Sequence, residues 1–398
     1  MRDIKFIALF AILIATLPFL THSGVILNFV VMALYASLLA QSWNILGGYS
    51  GQFSFGNAVF FGTGAYVQAI AQMQFAMNAW SALMLALCAS ACVGLFVGSV
   101  SFRYGLKGSY FALVTLAMAE IFRILSLSVN FTGGGVGLML PLNSSFAGMQ
   151  FVQKSGYVWL ILSLVCAALL ITSFIKHSKL GACMQAVRDN EDAAKALGIN
   201  PFSVKLVAIS MCSVVMGAGG AIYVQLFQYI DPSIAYGPQS SVEALVAAIV
   251  GGVGTLWGPI IGATALLLMS ELTRNLFGQI PGINMVIYGF VLVFIVLFAP
   301  TGLTGLGVSV RTLFSRSHNT NHRNKVDGGE DLKGLDGERA GSAESAENGA
   351  DRTNLTNLTN LTNLTYQTNL TKDNNSPKSQ VTQDTQVTPD TSSRTGGK

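Results

Sequence analysis

Residue types that carry out covalent chemistry are sparse in this sequence, and none falls into a known catalytic spacing. No GxxxxGK[ST] run is present, so the chain lacks the loop and lysine with which P-loop proteins bind ATP phosphates. The zinc-binding HExxH pattern and the hydrolase pattern Gly-x-Ser-x-Gly are also missing. His318 and His322 have i,i+4 spacing, but two histidines beside a polar tail are typical of solvated side chains. We expect no catalytic residue, metal site or cofactor here, so any ATP must bind to another subunit.

Charged residues inside apolar stretches are the next candidates, because a charge within a membrane is costly and therefore often functional. Glu120 and Arg123 are three residues apart, and Glu271 and Arg274 repeat that spacing, so each pair can form on one helix. Glu243 lies at the outer edge of a glycine-interrupted segment. These residues do not form the buried acidic chain that proton-driven transport would need, and partners within reach favour structural roles.

The loop from Lys176 to Lys205 carries the most informative pattern. Four apolar residues recur at roughly helical spacing opposite a polar side, which predicts a short amphipathic helix over 184–198. These residues are Met184, Val187, Ala194 and Leu197. Gly198 is expected to end this helix, and Pro201 to prevent its continuation. On periodicity alone, an ordinary helix lying at the membrane surface explains the pattern equally well.

The elements that must position these residues are membrane helices, since 51% of the residues are hydrophobic and only 11% are charged. A helix needs about 20 apolar residues to cross a bilayer. Eight segments are predicted to cross: roughly 4–21, 24–46, 54–75, 79–101, 108–128, 156–175, 204–228 and 282–300. The fold class is therefore an all-α integral membrane protein of about eight transmembrane helices, with a membrane domain over residues 1–318.

The segment 242–271 departs from this pattern. It is too long for one upright helix and is interrupted by Gly251, Gly252, Gly254 and the Gly258-Pro259 pair. We interpret it as a broken, re-entrant helical pair that enters the membrane and returns. Irregular backbone is tolerated at membrane depth only where protein or a water-filled cavity covers it. The segment is therefore expected to face the centre of the molecule.

Loop charges predict the orientation, because Lys and Arg accumulate in cytoplasmic loops. With a cytoplasmic N-terminus, eleven basic residues of the membrane domain lie on the inner side and three near the other face. The inner set is Arg2, Lys5, Arg103, Lys107, Lys176, Lys179, Arg188, Lys195, Lys205, Arg311 and Arg316, and the outer set is Arg123, Lys154 and Arg274. Both termini are therefore predicted to be cytoplasmic.

Residues 319–398 form a polar segment with a different composition. They are rich in Asn, Thr, Gly and Ser, and they contain a repeated Thr-Asn-Leu triplet from Thr353 onward. Such a segment cannot bury enough apolar surface to fold by itself, so we expect a disordered cytoplasmic tail without chemistry of its own. Charge counts over the whole chain offer no basic surface for nucleic acid.

Three stretches carry a resemblance to a known family. They are QSWNILGGYSGQFSFGNAVFFGTGAY at 41–66, VRDNEDAAKALGINPFSVKL at 187–206 and VGGVGTLWGPIIGA at 250–263. The chain resembles the permease subunits of ABC importers for branched-chain amino acids, in particular the smaller-tailed of the two permease types, over nearly all of residues 24–305. Urea and amide importer permeases are closely related. The Asp192-Ala193-Ala194 sequence followed by Gly198 resembles the EAA loop of such permeases, with Asp192 in place of the usual Glu.

The resemblance implies partners and roles. The partners would be a second permease of similar fold, two cytoplasmic ATPase subunits that bind ATP, and a periplasmic or extracellular substrate-binding protein, in a bacterial inner membrane. Residues implied in coupling to the ATPase are Arg188, Asp192, Ala193, Ala194 and Gly198. Candidates for the translocation path are Gln52, Ser54 and Asn57 with Gly251, Gly252 and Gly254, while packing is the favoured role for most glycines of residues 47–66. A urea or amide importer and an ion-coupled secondary transporter are the alternatives.

Overall fold

The structure is a computed structural model that describes residues 2–21, 23–142, 145–277, 286–287, 289–290 and 302–304. Within these ranges the chain is mostly helical, as the all-α prediction requires. The α-helices are α1 (Arg2–Leu20), α2 (Gly24–Trp43), α3 (Ala58–Met73), α4 (Ala79–Arg103), α5 (Gly108–Ser128), α6 (Lys154–His177), α7 (Lys179–Asp189), α8 (Glu191–Ala196), α9 (Pro201–Phe227), α10 (Pro232–Tyr236), α11 (Pro238–Gly251) and α12 (Gly258–Phe277). A π-helical segment, Asn44–Tyr49, continues α2, and a 3-10 turn, Asn130–Thr132, follows α5.

Six helical stretches among the described residues are long and apolar enough to cross a membrane. They are α1, α2 with its π-helical segment, α4, α5, α6 and α9. The predicted span at 54–75 is shorter, because α3 has only 16 residues and an irregular segment precedes it. The predicted span at 282–300 and the predicted tail at 319–398 lie almost entirely outside the described residues.

The centre of the bundle is α9, which packs against α2, α3 and α4. Gly64 of α3 lies so close to the backbone of Gly217 in α9 that a Cβ on Gly64 would overlap it. Gly220 approaches the Phe61 carbonyl equally closely. Small residues let membrane helices approach at backbone distance. This close approach explains why the short α3 is nevertheless buried along most of its length.

The glycine-interrupted segment forms two helices, as the sequence predicted. The helices α11 and α12 pack against each other, and the backbone between them, residues 252–257, is not helical. Gly252 and Gly254 have φ angles of 123° and 75°, a region that glycine reaches without steric cost. The pair extends from 238 to 277, further at both ends than the predicted 242–271, because α10 and proline at 238 set an earlier start.

Two sets of contacts between loops identify the two ends of the helix bundle. At one end, the Asp3 carboxylate of α1 accepts hydrogen bonds from Lys176 (3.1 Å) and contacts the His177 ring (2.9 Å), both at the end of α6. At the other end, β1 (Leu138–Met139) pairs antiparallel with β2 (Tyr229–Ile230), with Leu138 opposite Ile230. The start of α1 therefore lies at the same end of the bundle as α7, which follows α6 directly.

Candidate functional site

The loop between α6 and α9 forms two helices where the sequence predicted one. Asn190 separates α7 from α8, with an extended backbone (φ −156°, ψ 109°). Its side chain caps α8 by accepting hydrogen bonds from the amides of Asp192 and Ala193, both at 3.0 Å. Such a cap satisfies amides that have no partner at the start of a helix. The break therefore follows from the asparagine, which the apolar periodicity alone could not reveal.

The end of this helical pair agrees with the sequence prediction. Gly198 has a φ of 81°, and the amide of Ile199 donates to the Ala194 carbonyl at 3.0 Å. This geometry is the left-handed glycine stop common at helix ends. Pro201 then begins α9. Gly198 is thus the residue that allows the chain to turn from the surface back into the bundle.

The two candidate alanines of α8 face opposite ways. Ala193 is exposed, whereas only 2% of Ala194 is accessible because it packs inward against this chain. Met184 and Val187 are buried as predicted, but Leu197 is exposed to 79%. Ala194 therefore packs within this chain, and its part in coupling to an ATPase stays a prediction. Of the two alanines, Ala193 is the one that offers a small exposed side chain for close contact.

A partly buried carboxylate anchors α8 to the bundle. Glu191 Oε2 lies 2.8 Å from Lys205 Nζ of α9 and 3.3 Å from Lys107 Nζ, which precedes α5. The side chains of Glu191 and Lys205 are exposed to 17% and 5%. Burial disfavours the charged carboxylate, but the hydrogen bonds and charges of Lys205 and Lys107 outweigh it, so the pKa of Glu191 lies below its ordinary value. This network ties α8 to two membrane helices.

The neighbouring Asp192, which the sequence motif singled out, has a different environment. Its side chain is exposed to 81% and lies 3.5 Å from Lys195 and 3.9 Å from Lys107. Exposed ion pairs of this kind contribute little to stability. Asp192 is therefore free to contact another molecule, while Glu191, which the sequence analysis did not single out, holds the helix in place.

Arg188 joins α7 to the interior of the bundle. Its Nη1 donates a hydrogen bond to the Gly48 carbonyl at 2.8 Å, within the π-helical segment. The same guanidinium lies beside Gly254, and the aliphatic part of the side chain lies against Gly51. A π-helix inserted into an α-helix is frequent at functional sites. Arg188 therefore connects the surface helices to both the π-helical segment and the break between α11 and α12.

Asn44 completes this connection. Its Nδ2 donates to the Thr255 carbonyl at 2.9 Å, and its Oδ1 accepts from the Gly254 amide at 2.8 Å. One amide side chain thus holds the non-helical backbone at Gly254 and Thr255 against the start of the π-helical segment. Sequence analysis did not single out Asn44. The signal was an amide inside an apolar helix directly before paired glycines.

The polar path candidates lie together in the irregular segment before α3 and are all buried. The Ser54 carbonyl accepts from Trp43 Nε1 at 3.0 Å, and Gln52 Nε2 donates to the Ser50 carbonyl at 3.2 Å. Asn57 Nδ2 lies 3.7 Å from Cys212 Sγ of α9. These contacts hold the segment against α2 and α9. Gly251, Gly252 and Gly254 serve the packing and the turn of the break.

Several buried polar atoms keep unused hydrogen-bonding capacity. Within the part of the chain that the structure describes, Gln52 Oε1 and Asn57 Oδ1 have no hydrogen-bond partner. Gln225 of α9, fully buried, leaves both amide atoms without a partner there, and it was not among the predicted candidates. Unpaired buried polar groups are costly and call for a water, an ion or a ligand. Glutamine inside an apolar helix was the signal for Gln225.

Metal-ligating side chains do not cluster in the described ranges, where no group of three or more His, Cys, Asp or Glu residues could hold an ion. The arrangement around α7, α8 and the break offers hydrogen bonds and a carboxylate bound by two lysines. These contacts connect the surface helices to the interior, where Gln52 and Asn57 are buried in the irregular segment before α3.

Comparisons with known proteins agree with this geometry. A family model described as "Branched-chain amino acid transport system / permease component" matches residues 25–296. The chain is 27% identical to the high-affinity branched-chain amino acid transport system permease protein LivM of Salmonella typhimurium, over 72% of this chain and 71% of the relative. LivM of Escherichia coli is 26% identical over 75% and 74%. The permease protein LivH of the same-named system in Escherichia coli is 26% identical over 43% and 52%. No solved structure matches the chain.

Proposed function

The chain belongs to the family of permease components of branched-chain amino acid transport systems, and we propose that it carries leucine, isoleucine and valine inward as a subunit of an ATP-driven importer. Its match extends over most of LivM, whose name states high-affinity transport of these amino acids. Six apolar helices agree with a multi-pass protein of the bacterial inner membrane. The chain performs no covalent chemistry in this scheme.

The observation that carries the proposal is the connection from α7 and α8 to the break between α11 and α12. A cytoplasmic ATPase that contacts Ala193, Asp192 and the neighbouring exposed residues would move the helical pair as one unit, because Glu191 holds α8 to α9. Arg188 would pass this displacement to Gly48 and to the break beside Gly254. Packed interfaces switch between discrete arrangements, so a small push can open one side and close the other.

We assign the substrate path to the interior, next to the contacts that join α7 to the break between α11 and α12. Gln52 Oε1 and Asn57 Oδ1 offer unused acceptors within the described chain, which suit the ammonium group of an amino acid. Ser54 lies between them in sequence and keeps the segment packed through its carbonyl. Gly251, Gly252 and Gly254 would line this path where the backbone packs closely at the break.

The proposed assembly contains partners for each remaining task. Two cytoplasmic ATPase subunits bind and hydrolyse ATP, a second permease of similar fold completes the path, and a substrate-binding protein delivers the amino acid from outside. We place the N- and C-termini in the cytoplasm. The inner set of basic residues supports this orientation of the chain in the membrane. The contacts of Asp3 with Lys176 and of Lys107 with Glu191 join the predicted cytoplasmic segments to one another.

The substrate is tested by purifying the whole complex from its natural source and identifying the proteins that accompany this chain. The accompanying binding protein is then titrated with leucine, isoleucine and valine, and in parallel with urea and short amides. Tight binding of the branched-chain amino acids alone supports the proposal. Selective binding of urea or an amide would reassign the substrate while leaving the importer mechanism in place.

A further inference from the structure

An exposed ion pair lies near the middle of a membrane-crossing helix. Arg123 Nε donates to Glu120 Oε2 at 2.8 Å on α5, and the two side chains are exposed to 29% and 52%. Glu120 is the thirteenth of the 21 residues of α5. At 1.5 Å per residue it lies only about 3 Å from the middle of the helix. Glu120 is therefore far from both helix ends, Arg123 lies five residues before the end of α5 at Ser128, and the described part of this chain encloses neither side chain.

The pair belongs to a continuous exposed stripe of α5. Leu113, Ala117, Glu120 and Ile124 follow each other at spacings of four, three and four residues, which places them on one face of the helix. Leu113 is exposed to 63% and Ile124 to 52%. The opposite side of α5 is buried through Phe111, and its main neighbour is the short helix α10. The stripe is thus a surface left open by an otherwise anchored helix.

Lipid is a poor cover for this stripe. Charged side chains at membrane depth nearly always face protein or a water-filled cavity, because hydrocarbon solvates them badly. A comparison helix makes the contrast clear: the exposed residues in the middle of α1, such as Leu9, Ile12 and Leu13, are all apolar. Those residues suit lipid chains. The stripe of α5, with a carboxylate and a guanidinium at its centre, does not.

Among separate subunits, only a membrane-embedded one can reach this depth. An ATPase is confined to the cytoplasmic face, and a soluble binding protein to the outer face. The predicted span of this chain at 282–300 lies almost entirely outside the described residues, and crosslinks from the stripe to that span would show that it, and not a partner, covers the stripe. We propose that the α5 stripe, with the Glu120–Arg123 pair at its centre, is the surface on which a second, related permease packs. This inference rests on the proposed function and gives the second permease a location. The system named for LivM in Escherichia coli also has LivH, a second permease protein related to this chain.

The test uses a photoreactive amino acid in the complete complex. p-Benzoylphenylalanine replaces Leu113 or Ile124, which lie on either side of the ion pair, so the outcome does not depend on one substitution. Replacement of Leu13 on α1, exposed to 65%, is the matched control. Leucine import is measured on each complex before irradiation, and the adducts are then identified by mass spectrometry.

We expect both α5 positions to give adducts with the second permease, and position 13 to give adducts with lipid only. Lipid adducts alone at 113 and 124, or adducts with a second copy of this chain, would overturn the location of the interface. Because import is measured in the same complexes, a failed crosslink in an importing complex contradicts this inference and leaves the proposed function intact. If the unsubstituted complex did not import leucine with ATP, that result would instead contradict the proposed function.

Discussion

Single side chains join the surface helices α7 and α8 to the interior of this protein, and Arg188 does so most directly. Its guanidinium bridges from α7 to the Gly48 carbonyl, 140 residues earlier in the chain. Asn44 then binds the backbone of Gly254 and Thr255 in the break between α11 and α12. A displacement of α7 must therefore act on the π-helical segment and on the break together.

Replacing Arg188 with glutamine tests this connection. A hydrogen bond from a charged group contributes at least about 1.5 kcal/mol to stability. We take this lower value for Arg188 because its side chain is 40% exposed. Loss of this bond should reduce leucine uptake per ATP hydrolysed roughly tenfold, since about 1.4 kcal/mol corresponds to a factor of ten. ATPase activity and assembly should persist. Arg103→Gln, at the cytoplasmic end of α4, is the matched control, and equal effects of the two variants would contradict the role of Arg188.

Replacing Glu191 with glutamine tests how α8 is anchored. In Glu191→Gln the buried Lys205 loses its counter-charge, and breaking such a pair costs about 3 kcal/mol. The exposed Asp192 serves as a control, because Asp192→Asn should cost less than about 1 kcal/mol. Hydrogen exchange at the α8 amides in lipid nanodiscs measures both. Similar protection in the two variants would show that Glu191 is not the anchor.

The same residue predicts a pH dependence. The folded protein holds the pKa of Glu191 below its ordinary 4.5, so as pH falls the unfolded segment takes up the proton first. The stabilisation of α8 is therefore full at neutral pH and is lost progressively below about pH 4.5. Glu191→Gln should remove this part of the acid sensitivity of α8 protection. An unchanged acid profile in that variant would assign the sensitivity to other groups.

Among the elements, α7 and α8 are in contact with each other and together have an outer and an inner side. Ala193 and Asp192 lie on the outer side, and Ala194 and Val187 on the inner side. The distinction separates two effects that a bulky substitution could have. A large side chain on the outer side blocks a partner, whereas one on the inner side displaces the helix itself.

The outer side is tested with Ala193→Trp. The indole has no room in a packed interface, so the ATPase should no longer co-purify, or its hydrolysis should no longer respond to transport. Ala193→Ser keeps a small side chain and should preserve both. Ala194→Trp should instead lower the protection of α8 before any partner is added. Full assembly and transport by Ala193→Trp would mean that the ATPase contacts a different surface.

The sequence predicted the elements better than their connections. Long apolar runs identified six of the crossing helices, and the clustered glycines identified the break, because both signals are local and depend on few residues. The break at Asn190 was missed since a capping side chain competes with an otherwise continuous helical pattern. Contacts such as Arg188 with Gly48, and Asn44 with Gly254, join distant parts of the chain, and no local pattern specifies which residues will meet.

In the whole molecule, two ion pairs involve basic residues of the predicted cytoplasmic loops. One joins α1 to α6, and the other joins the α4–α5 loop to α8. These contacts bring three loops to one end, while β1 and β2 mark the other. A single orientation in the membrane therefore accounts for the loop charges and for the packing.

Thiol labelling in intact cells tests this orientation. In a chain whose native cysteines are replaced, Ser342→Cys in the tail should resist a membrane-impermeant maleimide, whereas Val152→Cys, exposed to 86% in the predicted outer region, should react. Both should react once the membrane is opened. Labelling of position 342 and protection of position 152 in intact cells would reverse the orientation.

ATP-driven import of branched-chain amino acids is the activity proposed for this permease. The most direct measurement is leucine uptake into proteoliposomes that contain this chain, the second permease, the ATPase subunits and the binding protein. ATP is enclosed or omitted, and ionophores collapse all ion gradients in parallel samples. We predict uptake that requires enclosed ATP and continues in the presence of ionophores. Uptake that proceeds without ATP and stops when the gradients collapse would contradict the claim and identify an ion-coupled transporter.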